Sequence, residues 1–349
     1  MGSLFVNIDF NTVGAVDNGT RPYTGPNPLW NNVSIFLDGG PSQTETRVGQ
    51  ATTVRVRVSN KGTTAVSDVD VDAYVMSPFV GLANPAQAIR RLHGFSGSIA
   101  PGSGTPAAND AHVVTCRIQD PVLGSIPWTP TTADLATTSG GHLCLIANVY
   151  ADADGAAVPD AGTFDIANDP HQGQRNIHVL ADMKGFGFIV FPASDGAPTA
   201  VDVVPLRAAV LNHPSERWAL RSRADIGVKL GSGATRLWLS GRGEREAVPL
   251  TYSRKGIAGS IDLGDLGQAD LTVLARSTER ILRDGGSLAA RGADWGRERL
   301  VVTVPAEGAR GTLNLRRSDR RGSVQAFDVV QRDARGRALG GMRIISVQR

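Results

Sequence analysis

The chain has 349 residues, 41% hydrophobic and 20% charged, enough for two domains that bury their own cores and too apolar for wholesale disorder. No stretch approaches the roughly 20 apolar residues of a membrane-crossing helix, and 41 glycines with 19 prolines favour a turn-rich chain over a helical bundle. The net charge of +3 conceals an asymmetry, −6 over residues 1–185 (10 Lys and Arg, 16 Asp and Glu) and +9 over residues 186–349 (26 and 17), which suits two units and head-to-tail packing between copies.

The opening MGSLFVNIDFNTVG has no basic region, no long apolar run and no small-residue cleavage site, so it does not read as a secretory signal. The expectation is a protein that is cytoplasmic or released by lysis or a non-classical route. Residues 1–30 are polar, and Asn18-Gly19 and Gly25-Pro26-Asn27-Pro28 mark turns. They read as a lead-in with at most one strand at 4–10. Strand signals then begin with NVSIFLDG at 32–39. In the next run Val54, Val56 and Val58 alternate with Arg55, Arg57 and Ser59, the period of a strand with one apolar face. Asn60-Lys61-Gly62 turns the chain into a second alternation, Val69, Val71 and Ala73 against Asp68, Asp70 and Asp72. The two strands read as an antiparallel pair with one wet face, on which Arg55 and Arg57 face Asp70 and Asp72.

Asn84-Pro85 predicts a short helix to Leu92, with Asn84 as its cap and Pro85 as its first residue. Further strands are expected at 94–99, 111–118, 142–150, 175–180 and 185–192, with a loop over 123–141. Residues 193–198, ASDGAP, read as a linker. A second series of short strands follows to 347, with a helical hint only at 278–283. Strands at this spacing, without amphipathic helices between them, argue for sandwiches over a βαβ fold.

The run Arg47-Val48-Gly49-Gln50, the valine strand up to Asn60-Lys61-Gly62 and the stretch from Asp68 to Val75 resemble the strand pair of CARDB-type immunoglobulin-like domains. The resemblance covers about thirty residues directly and extends loosely to about residue 180. It implies an adhesion, binding or spacing role without catalysis, and it supplies no active-site residues. Residues 195–349 resemble no family.

The two cysteines, Cys116 and Cys144, lie in strand-like runs and read as buried free thiols; the alternative is one inter-sheet disulfide in an oxidising compartment. His112, Cys116, His142 and Cys144 are zinc-type ligands, yet positions four apart on a strand are about 13 Å apart, too far for one ion. Asp152-Ala-Asp154-Gly155, with Asp160 nearby, resembles the start of a calcium loop whose other ligands and terminal Glu are missing, and a plain turn explains it better. Calcium on Asp152, Asp154 and Asp160 is left open, as is a two- or three-ligand metal site using His142 and Cys144.

His93-Gly-Phe-Ser96-Gly97 lacks the G-x-S-x-G spacing of a nucleophile elbow. The spacing of Asp68, Asp70 and Asp72 would allow paired-carboxylate chemistry, but an alternating exposed strand face accounts for them. Arg316, Arg317, Arg320 and Arg321 form a candidate anion-binding cluster; without interleaved aromatics it does not read as a nucleic-acid platform. Trp128, in the long Pro/Thr loop, is the tryptophan expected to be exposed for stacking on a sugar.

The expectation is therefore all-β: two antiparallel β-sandwich (immunoglobulin-like) domains in tandem. Residues 1–30 are the lead-in, 31–192 the CARDB-like sandwich, 193–198 the linker and 199–349 a second, basic sandwich. No catalytic residue is assigned. The expected role is a non-catalytic structural or adhesion protein, one subunit of a larger bacterial or phage-like assembly. Its partners would be proteins, through self-association or a larger assembly, with a glycan or anionic surface as a further candidate. The alternative is a glycan-binding module accessory to a hydrolase.

Overall fold

The computed structural model describes residues 2–8, 10, 17–23, 28–40, 43, 46–102, 112–136, 142–181, 186–190, 199–206, 226–230, 237–239, 298–302, 309–315, 324–333 and 337–347. The fold is all-β and built mainly of antiparallel sheets. In chain order the strands begin with β1 (Leu4–Phe5), β2 (Ile35–Asp38), β3 (Thr53–Arg57), β4 (Ser59–Asn60), β5 (Val66–Met76), β6 (Phe79–Val80) and β7 (Arg90–Ile99). They continue with β8 (Val113–Cys116), β9 (Ile118–Asp120), β10 (Gly124–Ile126), β11 (Cys144–Tyr150), β12 (Gln172–Arg175) and β13 (Ile177–Ala181).

A three-stranded sheet, β2-β3-β8, and a four-stranded sheet, β12-β11-β5-β7, share one apolar core. Ile35 and Leu37 of β2, Val54 and Val56 of β3 and Val114 and Cys116 of β8 come from the first sheet. Val69, Val71, Ala73 and Val75 of β5, Leu92 of β7 and Leu145, Ala147 and Val149 of β11 come from the second. Each fully buried valine contributes about 1.5–3 kcal/mol by leaving water. The alternation that carries this core is interrupted once. Asp68 holds φ 52°, a left-handed conformation that Asp tolerates better than most residues, and the pattern resets there. Val66 and Val69, three apart, consequently both enter the core.

The alternation of β5 also stops at Ala73, because residues 73–76 are buried on both faces. Tyr74 and Met76 join Cys144 and Ile146 in a second cluster, under Trp30, Phe79, Phe164, Ile166 and Val330. Cys116 and Cys144 therefore occupy different cores and both are free thiols. Burial pushes each thiol well above its ordinary range.

Several expectations need correction. β3 and β5 do not pair: β3 lies between β2 and β8, and β5 lies between β11 and β7. The short β4, paired with β1, carries the chain from one sheet to the other. Arg55 instead meets Asp38 at 3.3 Å, and the Arg57 guanidinium lies over the rings of Phe10 and Phe36, at 4.6 and 4.3 Å. The helix expected from Asn84 is a single 3₁₀ turn, Pro85–Gln87, closed by the Asn84 amide donating to Gln87 Oε1 at 2.9 Å. By Arg90 the chain pairs with β5, and the sheet overrides the local helix signal. The lead-in is not a polar appendage, since Leu4, Phe5, Val6, Ile8, Phe10, Leu29 and Trp30 are buried. The loop over 123–141 contains β10 and a short helix, α1 (Thr132–Ala136), whose Asp134 accepts from the Thr131 backbone and pairs with Arg90 at 2.7 Å.

The later strands are β14 (Phe186–Val190), β15 (Thr199–Leu206), β16 (Ile226–Leu230), β17 (Leu237–Leu239), β18 (Glu298–Val302), β19 (Ala309–Leu315), β20 (Val324–Arg332) and β21 (Ala338–Val347). They build a six-stranded sheet, β13-β21-β20-β15-β18-β17, and a four-stranded one, β16-β19-β14-β6. The expected linker, 193–198, and the helical hint at 278–283 lie outside the described residues. Pairing runs across the linker position: β13 lies parallel to β21, and β6 parallel to β14, which in turn pairs with β19. Among the described residues no helix is long and apolar enough to cross a membrane.

Candidate functional site

The outer face of the four-stranded sheet carries a group of interacting ionisable side chains. Its rungs follow from strand register. Arg91, Tyr74, Ile146 and Gln174 form the first, His93, Asp72, Asn148 and Gln172 the second, and Phe95, Asp70 and Tyr150 the third. Directly opposed residues of a pleated sheet share a face, so each rung projects outward together.

The first rung is covered. Phe164 packs edge-on against Tyr74 at 4.9 Å, and the Arg91 guanidinium lies 5.6 Å over the Tyr74 ring while pairing with Asp160 at 2.6 Å. The second rung is half open and internally bonded. His93 Nδ1 lies 2.9 Å from Asp72 Oδ1, and Nε2 lies 3.3 Å from Asp70 Oδ1. Asp72 Oδ2 accepts from the Tyr150 hydroxyl at 3.2 Å and the Tyr74 hydroxyl at 3.4 Å. Burial first, and the Asp72 charge second, push both phenols far above their ordinary range, so they remain donors. The third rung is open: Phe95 is 59% exposed beside Asp70.

A second ionisable group surrounds His171. Its Nδ1 lies 2.9 Å from Asp169 and its Nε2 3.4 Å from Asp154. Asp154 also accepts the Leu4 amide, and Asp169 accepts from Gln172 at 2.7 Å. Burial opposes the charged forms, but the mutual hydrogen bonds prevail, holding His171 above its ordinary value and Asp169 below. This group ties β1 to the turn between β11 and β12. Asp154 and Asp160 thus serve different contacts, one with His171 and one with Arg91, while Asp152 is exposed. Among the described residues no three His, Cys, Asp or Glu side chains gather to hold a metal ion.

Trp128 is not on the surface. Its backbone exchanges hydrogen bonds with Thr52, 2.7 and 2.8 Å, which pins the loop to the start of β3 and sends the indole into the shared core at 1% exposure. The local Pro/Thr composition carried no sign of this pairing, 76 positions away. Arg316, Arg317, Arg320 and Arg321 lie outside the described residues. The exposed aromatic of this face, Phe95, was missed by the sequence reading. Its signal was the alternation of His93 and Phe95 with Leu92 and Gly94 along β7. No family model and no curated protein matches the chain.

Proposed function

We propose that this chain is a non-catalytic structural or adhesion protein, one subunit of a larger bacterial or phage-like assembly. The reading includes two tandem immunoglobulin-like sandwiches, the first of CARDB type, and is supported there by the two sheets that share one core. The observation that carries it is the β9–β10 hairpin. Val122 is 87% and Leu123 70% exposed at its tip, while the Asp120 carboxylate accepts both of their amides at 2.8 Å. Two adjacent apolar side chains held out on a hydrogen-bonded turn gain by meeting a partner surface. The clusters around His93 and His171 are bonded internally, as structural networks are. The sugar-stacking role envisaged for Trp128 has no support, because that indole is buried.

Light scattering at low and high salt, with electron microscopy of the same sample, tests the proposal. A defined oligomer, ring or fibre is expected. A monomer at every concentration and salt overturns it.

A further inference from the structure

We propose that the open half of the outer sheet face, centred on Phe95, is the acidic side of a contact between two copies of this chain, receiving an arginine or lysine side chain from the basic half of the second copy. The inference rests on the assembly reading and gives it a surface and a chemistry.

The face is built for a cation. Phe95 presents an open ring, 59% exposed, directly opposite Asp70 on β5. Asp70 meets His93 through Oδ1, and its side chain is 32% exposed. One step along β5, Asp68 is exposed at φ 52°. Gly97 lies two positions beyond Phe95 on β7, and a Cβ there would meet nothing within 4 Å, so the space over that position is open. A guanidinium lying on an aromatic face while its edge bonds a carboxylate satisfies both partners at once. A neutral ligand would stack on the ring but bring no counter-charge to the exposed Asp68 or to the open side of Asp70. The other end of the face is closed by Phe164 and by the Arg91–Asp160 pair, which confines the opening to the third rung and its edge.

Charge complementarity identifies the occupant. Residues 1–185, which include the whole face, carry a net −6, and residues 186–349 a net +9. Each copy therefore offers both sides of a heterologous contact, the kind that closes into rings or continues as filaments.

Sedimentation equilibrium of the full chain at about 50 and about 500 mM salt, a range over which exposed charges go from weakly to strongly screened, provides the test. Wild type is compared with Phe95→Ala, Asp70→Asn and Asp68→Asn, and with Asp152→Asn as an exposed carboxylate elsewhere. Far-UV circular dichroism checks folding; Asp68, exposed and outside both cores, keeps the test alive if the other variants misfold. Association that salt weakens, that each face variant weakens by about two- to fivefold and that Asp152→Asn leaves unchanged is the expected result. Association unaltered in the folded face variants overturns this surface while leaving the assembly reading intact. Equal weakening by Asp152→Asn overturns the site in favour of diffuse charge. A chain monomeric under all conditions overturns both.

Discussion

The side-chain amide of Asn176 donates to the carbonyl oxygen of Gly341 at 2.9 Å, joining positions 165 apart in the sequence. The same nitrogen reaches the Phe79 carbonyl at 2.6 Å, and the Arg343 amide donates back to the Asn176 carbonyl at 2.9 Å. One fully buried asparagine thus holds β6, the β12–β13 junction and β21 together. Asn176→Ala removes this donor from the Phe79 carbonyl and leaves the Gly341 carbonyl only the longer bond from Gln174 at 3.4 Å, an expected cost of about 1–3 kcal/mol. Urea unfolding measures it; a loss under about 0.5 kcal/mol, the range of an ordinary surface substitution, would contradict the clamp.

Gly341 lies beside the same clamp. A Cβ there would stand 2.7 Å from the Trp30 indole, which is itself buried in the second cluster. Gly341→Ala should cost about 1–3 kcal/mol through overpacking. Gly97→Ala, on the open face, should be neutral within about 0.5 kcal/mol. Paired thermal melts separate the two, and equal melting temperatures would show that the Trp30 contact yields freely.

Two histidines give stability opposite dependences on pH. Burial pushes His142 down to about 4 from 6.5. The unfolded chain therefore binds the proton first, and stability falls as pH drops from 6.5 towards 4, by at most about 3 kcal/mol. His171 is held above its ordinary value by Asp169 and Asp154. Its contribution is complete below the unfolded value and fades as pH rises through the raised folded value. Unfolding free energies from pH 8 to 4 should show His142→Gln flattening the acid limb and His171→Gln flattening the alkaline one. An acid limb unchanged in His142→Gln would assign the acid sensitivity to other groups.

Trp128→Ala tests the corrected position of this side chain. Emptying the volume of a buried indole costs about 3–5 kcal/mol, and intrinsic fluorescence should lose a blue-shifted component. A variant as stable as wild type would return Trp128 to the surface.

Much of the first half was legible from residue patterns. The valines of β3 and β5 occupy the core faces that their period of two assigns to them, whereas of the helix expected from Asn84 to Leu92 only a 3₁₀ turn forms, at Pro85–Gln87. Face assignment needs only local alternation, so it survives without knowledge of partners. Pairing does not. Arg55 and Asp70 looked like cross-strand neighbours because their strands are consecutive, yet the chain changes sheets at β4. The cluster of Asp70, Asp72, His93 and Tyr150 draws on three strands, and its parts were visible only separately, as an acidic strand face and as a histidine in a motif of the wrong spacing.

The amino-acid sequence by itself determined the strand-rich class, the apolar faces of β3 and β5 and the opposed charges of the two halves, since each depends on neighbours a few residues away or on composition. Tertiary structure alone decided that Trp128 is core, that Asp68 resets a strand, that residues 4–8 and Phe10 belong to the interior and that Phe95 is left open beside Asp70. Those outcomes depend on which distant segment arrives to cover a surface: Thr52 for Trp128, Phe164 for Tyr74, β21 for Asn176. Hydrophobic burial is non-directional, so an apolar run states that it will be covered, and the hydrogen-bonded register between remote strands states by what.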